Sequence, residues 1–185
     1  MTWNGFIRPS RDDETSSTLP FMFLARFKAV TIPISNHGYV ARNIVDGEEF
    51  KYLRPKNNPV EIFNMQALTN EKPYCVITEG EIDASSFETV GINAIALGSA
   101  NNTEKFFGIN KSQSKTYILA LDSDDRGQQA KKEIEQYFNN NGMKYLSFDC
   151  CGEKDPNVAL VTNKQQFEKA IKEIVKTTMT NGSEL

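Results

Sequence analysis

The sequence predicts an α/β protein: a four-stranded parallel sheet with helices on both faces, preceded by a small α+β subdomain. Three observations carry that reading. From Lys72 onward, short apolar runs rich in β-branched residues alternate with segments of helical periodicity, and such βαβα alternation builds parallel sheets. Before Lys72 the texture differs, with short extended runs separated by turn signals, as in an antiparallel ribbon. With 185 residues, 39% of them hydrophobic and 24% charged, the chain can bury a core and has the composition of a globular protein.

The elements follow in order. Residues 1–19 are polar and read as a lead-in. The small subdomain is expected over 20–71. Within it, Lys28–Ile34 alternates weakly and closes on Asn36-His37-Gly38. Tyr39–Val45 follows, Asp46-Gly47 is a strong hairpin signal, and Phe50–Leu53 completes the ribbon. The second domain is expected over 72–176, with strands at Tyr74–Thr78, Ala94–Leu97, Tyr117–Leu121 and Lys144–Phe148. Helices are expected at Asp83–Val90, Thr103–Ile109 and Gly127–Asn139, the last with Ala130, Ile134, Tyr137 and Phe138 on one face. A final helix starts near Asn163 and repeats Phe167, Ala170, Ile171, Ile174 and Val175 at the spacing of one buried stripe. Thr177–Leu185 is expected to be a loose tail.

Several classes are excluded or disfavoured. No apolar run approaches the ~18 residues of a membrane span. The first residues lack the basic-then-apolar pattern of a signal peptide. Cys75, Cys150 and Cys151 make no disulfide framework and, with the single His37, no zinc spacing, which points to a reducing cytoplasm. A net charge of −3 argues against a surface coated in basic residues but leaves room for a local basic strip.

The chemistry lies at two strand ends. In open parallel sheets, ligands bind beyond the carboxyl ends of the strands. The first strand of the second domain runs into Glu79-Gly80-Glu81-Ile82-Asp83, and the third into Asp122-Ser123-Asp124-Asp125-Arg126-Gly127. Carboxylates gathered at adjacent strand ends repel unless a cation neutralises them, and Mg²⁺ (or Mn²⁺) takes such oxygen ligands while keeping waters that phosphate can displace. Asp83 and Asp125 read equally well as helix caps. The Asp-Ser-Asp alternation points Asp122 and Asp124 the same way, which disfavours a capping role for that pair. Gly80 suggests a tight turn with close approach.

Glu79-Gly80-x-x-Asp83 after one strand, with Asp122-x-Asp124-x-x-Gly127 after another, resembles the Toprim domain of primases, topoisomerases and certain nucleases. Lys154-Asp155-Pro156-Asn157 is similar to the segment that follows the fourth strand in bacterial and phage primases, although Asp155 before Pro156 also reads as a helix cap. Ile32-Pro33-Ile34, Tyr39–Asn43, Lys51-Tyr52-Leu53 and Ile62-Phe63-Asn64 resemble the small subdomain that precedes Toprim in bacterial primases.

The resemblance implies a Rossmann-like fold and metal-dependent nucleotidyl transfer in DNA replication. Glu79, Asp122 and Asp124 would be catalytic, Glu79, Asp122, Asp124 and Asp155 would hold metal, and Arg42, Lys51, Tyr52 and Lys154 would contact nucleotide or nucleic acid. Nucleoside triphosphates and single-stranded DNA are the implied partners, with a helicase or a zinc-binding module beside them. The chain lacks both a zinc module and a phosphate-binding loop, so it is expected to be the catalytic piece of a larger primase or a stand-alone relative from a phage or mobile element. A Toprim nuclease is the alternative enzyme, and a non-catalytic module binding single-stranded DNA or a helicase is the alternative outside enzymes. Glu81 departs from the bulky residue common at its position and adds charge beside the site, and Arg54 replaces a small polar residue.

Among smaller features, Arg42, Lys51, Arg54 and Lys56 form a basic strip interrupted by Asp46, Glu48 and Glu49. Tyr52 can stack on a base or pack across strands. Gly98-Ser99-Ala100 can cradle a phosphate or be a plain loop. Phe106 and Phe107 read as core, while Trp3 and Phe6 either dock on the domain or lie loose.

Overall fold

In the computed structural model, which describes residues 28–35, 38–45, 51–54, 60–109 and 111–180, the chain divides into two units, 1–58 and 59–185. In the first, β1 (Ala29–Pro33), β2 (Tyr39–Asn43) and β3 (Tyr52–Leu53) form an antiparallel sheet in the order β1-β2-β3. Ile34 and Ser35 donate their backbone N–H groups to the Gly38 carbonyl and close the first turn. Val30 faces Arg42 and Arg42 faces Tyr52, so the three side chains share one face. The Arg42 guanidinium lies 4.6 Å from the centre of the Tyr52 ring, within cation–π reach. The turn residues Asn36-His37 and Asp46-Gly47, together with Phe50, Lys56, Trp3, Phe6 and the rest of the lead-in, lie outside the described residues.

The second unit carries α1 (Gln66–Thr69), β4 (Tyr74–Thr78), α2 (Glu81–Thr89), β5 (Ala94–Ala96), α3 (Thr103–Phe107), β6 (Thr116–Ala120), α4 (Asp125–Asn140), β7 (Lys144–Ser147), α5 (Pro156–Thr162) and α6 (Lys164–Thr180). The four strands pair in parallel in the order β5-β4-β6-β7. Successive side chains of a strand point to opposite faces, so each strand feeds two cores. Cys75, Ile77, Ile95, Leu97, Tyr117 and Leu119 pack against Leu68 of α1, Phe106 of α3, and Ala130, Ile134 and Phe138 of α4. Tyr74, Val76, Ala94, Ala96, Ile118 and Ala120 pack against Ala84 and Phe87 of α2, Ala159 of α5, and Phe167, Ile171 and Val175 of α6. The helices therefore sit three to a face, as the alternation predicts. Phe87, Phe148 and Phe167 make edge and tilted ring contacts at 5.0–5.6 Å, and each side chain so buried stabilises the fold by about 1.5–3 kcal/mol.

Several boundaries differ from the sequence reading by one or two residues, among them the start of α2 at Glu81 rather than Asp83, and two of the differences have a plain cause. The last helix runs on to Thr180, into the segment expected to be a loose tail. Thr178 is buried there and donates its hydroxyl to the Val175 carbonyl at 2.7 Å, a bond that lets a polar residue continue the apolar stripe. The helix after the third strand starts at Asp125, two residues before the expected Gly127, because Asp124 caps it. At the other margin of the sheet, Phe63 forms an antiparallel bridge to Ala96 and covers the outer edge of β5.

Candidate active site

The strand order places β5 on one side of β4 and β6 on the other, so the chain reverses direction of winding between β4 and β6. Ligand crevices in open α/β sheets form at such a switch point, beyond the carboxyl ends. Thr78 pairs with Ala120, so the residues that follow leave the sheet side by side. Glu79 follows β4 directly and Asp122 stands two residues beyond β6.

Glu79 is tied to the loop after β5. Its carbonyl accepts the Gly98 N–H at 2.9 Å, and its carboxylate accepts the Ala100 N–H. Among the described residues its Oε2, which is buried, has no hydrogen-bond partner, and neither has the buried Oδ1 of Asp122. Burial raises the Glu79 carboxyl above its usual range, Asp124 adds to the rise, and the Ala100 N–H, Arg126 and Lys154 oppose it. Asp122 is pushed up to about 6 by burial and then by Glu79, Asp155 and Asp124, with Lys154 opposing. These couplings bring the acids expected from the sequence, Glu79, Asp122, Asp124 and Asp155, into one electrostatic cluster, with Lys154 among them.

The loop 98–100 is not the free phosphate cradle that one reading allowed. Two of its amides are committed to Glu79, and the Ser99 hydroxyl accepts from Asn101 at 3.3 Å. Gly98 also has positive φ, and a Cβ there would meet Val60 at 2.9 Å, so the loop is shaped to close on Glu79.

Asp124 departs from the alternation argument. Its carboxylate caps α4 by accepting the Gly127 N–H at 2.9 Å. β6 ends at Ala120, so strand alternation no longer governs the loop in which Asp124 lies. Asp155 caps α5 through the Val158 N–H at 2.7 Å, with Pro156 in the first helical position. A carboxylate has two oxygens, and a cap engages one. Gly127 is required where it stands, because a Cβ on it would come within 2.3 Å of the Asp122 carbonyl.

Asp83 belongs to the cluster, although its only expected roles were a place in the motif and a helix cap. Placed third in α2, it receives the Gly80 N–H across the first turn, and its Oδ1 accepts the Asn157 N–H at 3.2 Å. A Cβ on Gly80 would lie 2.7 Å from Asp83 Oδ2, so the close approach at Gly80 is to this carboxyl. Asn157 also donates its side-chain amide to Ser86 at 3.1 Å, and Ser123 donates its N–H to the Lys154 carbonyl at 3.0 Å. These bonds hold the start of α5 against α2 and the β6 loop. Asp83 is pushed up to about 7, by burial first and then by Asp122 and Asp155. The spacing of Glu79-Gly80-x-x-Asp83 was the sequence signal for it. Glu81 is buried at the start of α2. Arg42, Lys51 and Tyr52 stand in the 1–58 unit.

Residues 76–160 match the Toprim-like family. No curated protein matches the chain in sequence. Among solved structures, the chain is similar to the Aquifex aeolicus primase, in its zinc-binding and RNA polymerase domains, with 18% identity and a TM-score of 0.53 over 84% of this chain and 41% of that one. It is similar to a DnaG primase catalytic domain bound to single-stranded DNA, with 20% identity and a TM-score of 0.54 over 80% and 52%. The primase fragment of the bacteriophage T7 primase-helicase protein gives 21% identity and a TM-score of 0.52 over 72% and 56%. This chain spans 41% to 56% of the length of these structures. The segment that holds the acid cluster is thus a Toprim-like domain. The fold around it is shared with primase catalytic domains.

Toprim resemblance implies a divalent metal, and the residues present fit one. Among the described residues, no three His, Cys, Asp or Glu side chains stand as a ready-made metal cage. Among the described residues, two buried carboxylate oxygens, on Glu79 and Asp122, are left without partners instead, with further acids coupled to them. That donor set suits a hard cation held by one or two carboxylates and completed by water and phosphate oxygens. Among the described residues, no helix is long and apolar enough to cross a membrane.

Proposed function

We propose that the domain performs metal-dependent nucleotidyl transfer in primer synthesis, with Glu79, Asp122 and Asp124 as its catalytic acids. The pair of buried, unpartnered oxygens on Glu79 and Asp122 carries this reading, since carboxylates left unpaired cost stability and persist where a ligand completes them. Asp122 and Asp124 would hold Mg²⁺ or Mn²⁺, with Glu79 and Asp155 at its margin. Bound there, the metal supplies charge stabilisation to phosphate oxygens.

The chain's own residues do the rest. Glu79, raised above the usual carboxylate range, is suited to exchange a proton at its carboxyl with a nucleotide hydroxyl. Lys154, held by the Ser123–Lys154 backbone bond, offers a cation to phosphate. Arg42, Lys51 and Tyr52 are the proposed contacts to nucleoside triphosphate or single-stranded DNA, Tyr52 through its ring face. The similar DnaG domain was solved bound to single-stranded DNA and the similar T7 fragment comes from a primase-helicase protein, which supports DNA as template and a helicase or zinc module as partner.

Incorporation of labelled nucleotide on a single-stranded template, with and without an annealed primer, tests the proposal. Slow Mn²⁺-assisted addition that is lost in Glu79→Gln supports it. Template cleavage without incorporation would instead favour a nuclease, and binding without either reaction would favour a non-catalytic module.

A further inference from the structure

α5 is seven residues long and follows directly on Lys154 and Asp155, so the place of this helix decides where those two residues stand. A helix so short has little stability of its own, and what ties it to the rest of the fold sets its position. Apolar packing is a weak tie here: Pro156 and Ala159 are buried, while Val158 and Val161 are exposed. Polar bonds do the placing. Ser123 of the β6 loop donates its N–H to the Lys154 carbonyl at 3.0 Å. Asn157 is bonded twice to α2, through its backbone N–H to Asp83 Oδ1 at 3.2 Å and through its side-chain amide to Ser86 Oγ at 3.1 Å. Asp83 also receives the Gly80 N–H, from the turn that carries Glu79. A path of hydrogen bonds thus runs from that turn through Asp83 and Asn157 to the start of α5. An amide suits position 157. Ser86 is buried and gives its one hydroxyl proton to the Ile82 carbonyl at 2.9 Å, so its partner must be a donor. The amide also adds no charge beside Asp83, which already feels Asp122 and Asp155.

We propose that Asn157 is a positioning residue for the acid cluster: clamped to Asp83 and Ser86, it fixes the start of α5, and with it Asp155 and Lys154, relative to the turn that carries Glu79. It acts through these residues and holds no ligand itself. The inference rests on the metal reading of the same cluster and adds the part that keeps its two sides in register. Hydrogen bonds behind a metal site matter to the metal, because they fix the ligating groups, and their loss typically costs about tenfold or more in affinity.

Calorimetric titration of the full chain with Mn²⁺, well below the melting transition, tests this in wild type, Asn157→Ala, Ser86→Ala and the double variant. Each single variant removes the side-chain bond from one end and leaves the backbone bond to Asp83 in place. Each should weaken Mn²⁺ binding about tenfold, and the double variant no further, since both residues act through one bond. Tm should fall by only about 2–4 °C. Where every variant is fully folded, lost stability alone leaves the measured affinity unchanged, so the titration separates positioning from plain support. A single variant that binds Mn²⁺ as wild type does overturns the proposal, and so does a double variant that loses the product of the two single losses. If wild type binds no Mn²⁺, the metal reading falls, and the side-chain carboxyl carbon resonances of Asp83 and Asp155 decide the role of Asn157. Shifted in both single variants, they uphold the clamp; unmoved, they overturn it.

Discussion

The two ends of the parallel sheet hold buried charge in opposite ways. At the carboxyl end, Glu79 and Asp122 each leave a buried oxygen without a partner, and the carboxyls of Glu79, Asp83 and Asp122 are all raised. At the amino end, where the strands begin, Lys111 and Lys115 are also buried, yet their ammonium groups are saturated. Lys115 donates to the Asn70 carbonyl at 2.6 Å, to the Asn70 side chain at 3.0 Å and to the Lys72 carbonyl. Lys111 donates to the carbonyls of Phe106, Phe107 and Ile109 and lies over the rings of Phe106 and Tyr137, at 4.4 and 4.8 Å. An ammonium has three donors, and each of these has three acceptors. Burial alone is therefore no mark of function. The lysines line a cavity of about 480 Å³ and still act as struts, whereas Glu79 and Asp122 each keep one buried oxygen without a partner among the described residues.

The largest expected effect tests the strut. Lys115→Met should cost about 2–3 kcal/mol of stability, because it strands the buried carbonyls that the ammonium now serves. Chemical denaturation measures the loss, and Mn²⁺ affinity should not change. A variant as stable as wild type would erase the distinction between the ends.

The converse experiment removes charge from the other end. Asp122→Asn with Asp124→Asn should weaken Mn²⁺ binding at least tenfold, or about 1.4 kcal/mol, while stability holds or rises as repulsion is relieved. Asn caps helices as well as Asp does, so α4 should keep its start. Equal Mn²⁺ affinity by calorimetry would sink the site.

Acidity separates the ends in sign. Asp83 and Asp122 titrate near 7 and 6 in the folded chain against about 4 when unfolded, so the native state binds more protons between these values. The stability they contribute is present below pH 4 and is lost as pH rises through 7. Lys111 is lowered to about 8 by burial, so its cost is present below pH 8 and is relieved as pH rises toward about 10.5. Thermal melts should show a decline in Tm from pH 4 to 7 that Mg²⁺ reverses more at pH 8 than at pH 5. They should also show a rise above pH 8 that disappears in Lys111→Met. A Mg²⁺ effect equal at both pH values would break the link between the raised acids and metal.

The smallest effects are expected at the hairpin of the first unit. Arg42→Ala or Lys51→Ala should weaken single-stranded DNA binding by about 1 kcal/mol and lower its salt dependence by roughly one ion. Fluorescence anisotropy across a salt series reads both, and unchanged slopes would return the two residues to ordinary surface charge.

How much of this was legible in the sequence follows from range. Strands such as Tyr74–Thr78 and Tyr117–Leu121 announced themselves as apolar runs between turns, and the stripe from Phe167 to Val175 announced α6. Glu79 and Asp122 were legible because the strands before them were. Asp124 was misjudged as a non-capping residue because alternation was carried past Ala120, where β6 had ended. Thr178 was assigned to the tail because its stabilising bond, to Val175, is local but polar. The lysine struts were invisible. Lys115 meets Asn70 across 45 residues, and no local pattern distinguishes it from a surface lysine. Asp83 was half visible, in its spacing but not in its bond to Asn157, 74 residues away.

The Phe63–Ala96 bridge has a bearing on solubility. β5 is a short apolar strand at the margin of the sheet, Ala94, Ile95 and Ala96, and an uncovered margin of that kind recruits strands from other molecules. Phe63 occupies its free amide and carbonyl, while the Asn64 side chain donates to Ala94 and Glu88 accepts from it. The residues ahead of the first parallel strand thus act as a guard rail against intermolecular pairing. A fragment trimmed to begin at Lys72 would lose that guard and present the open margin of β5 to its neighbours, whereas one that retains residues 60–71 would keep it closed.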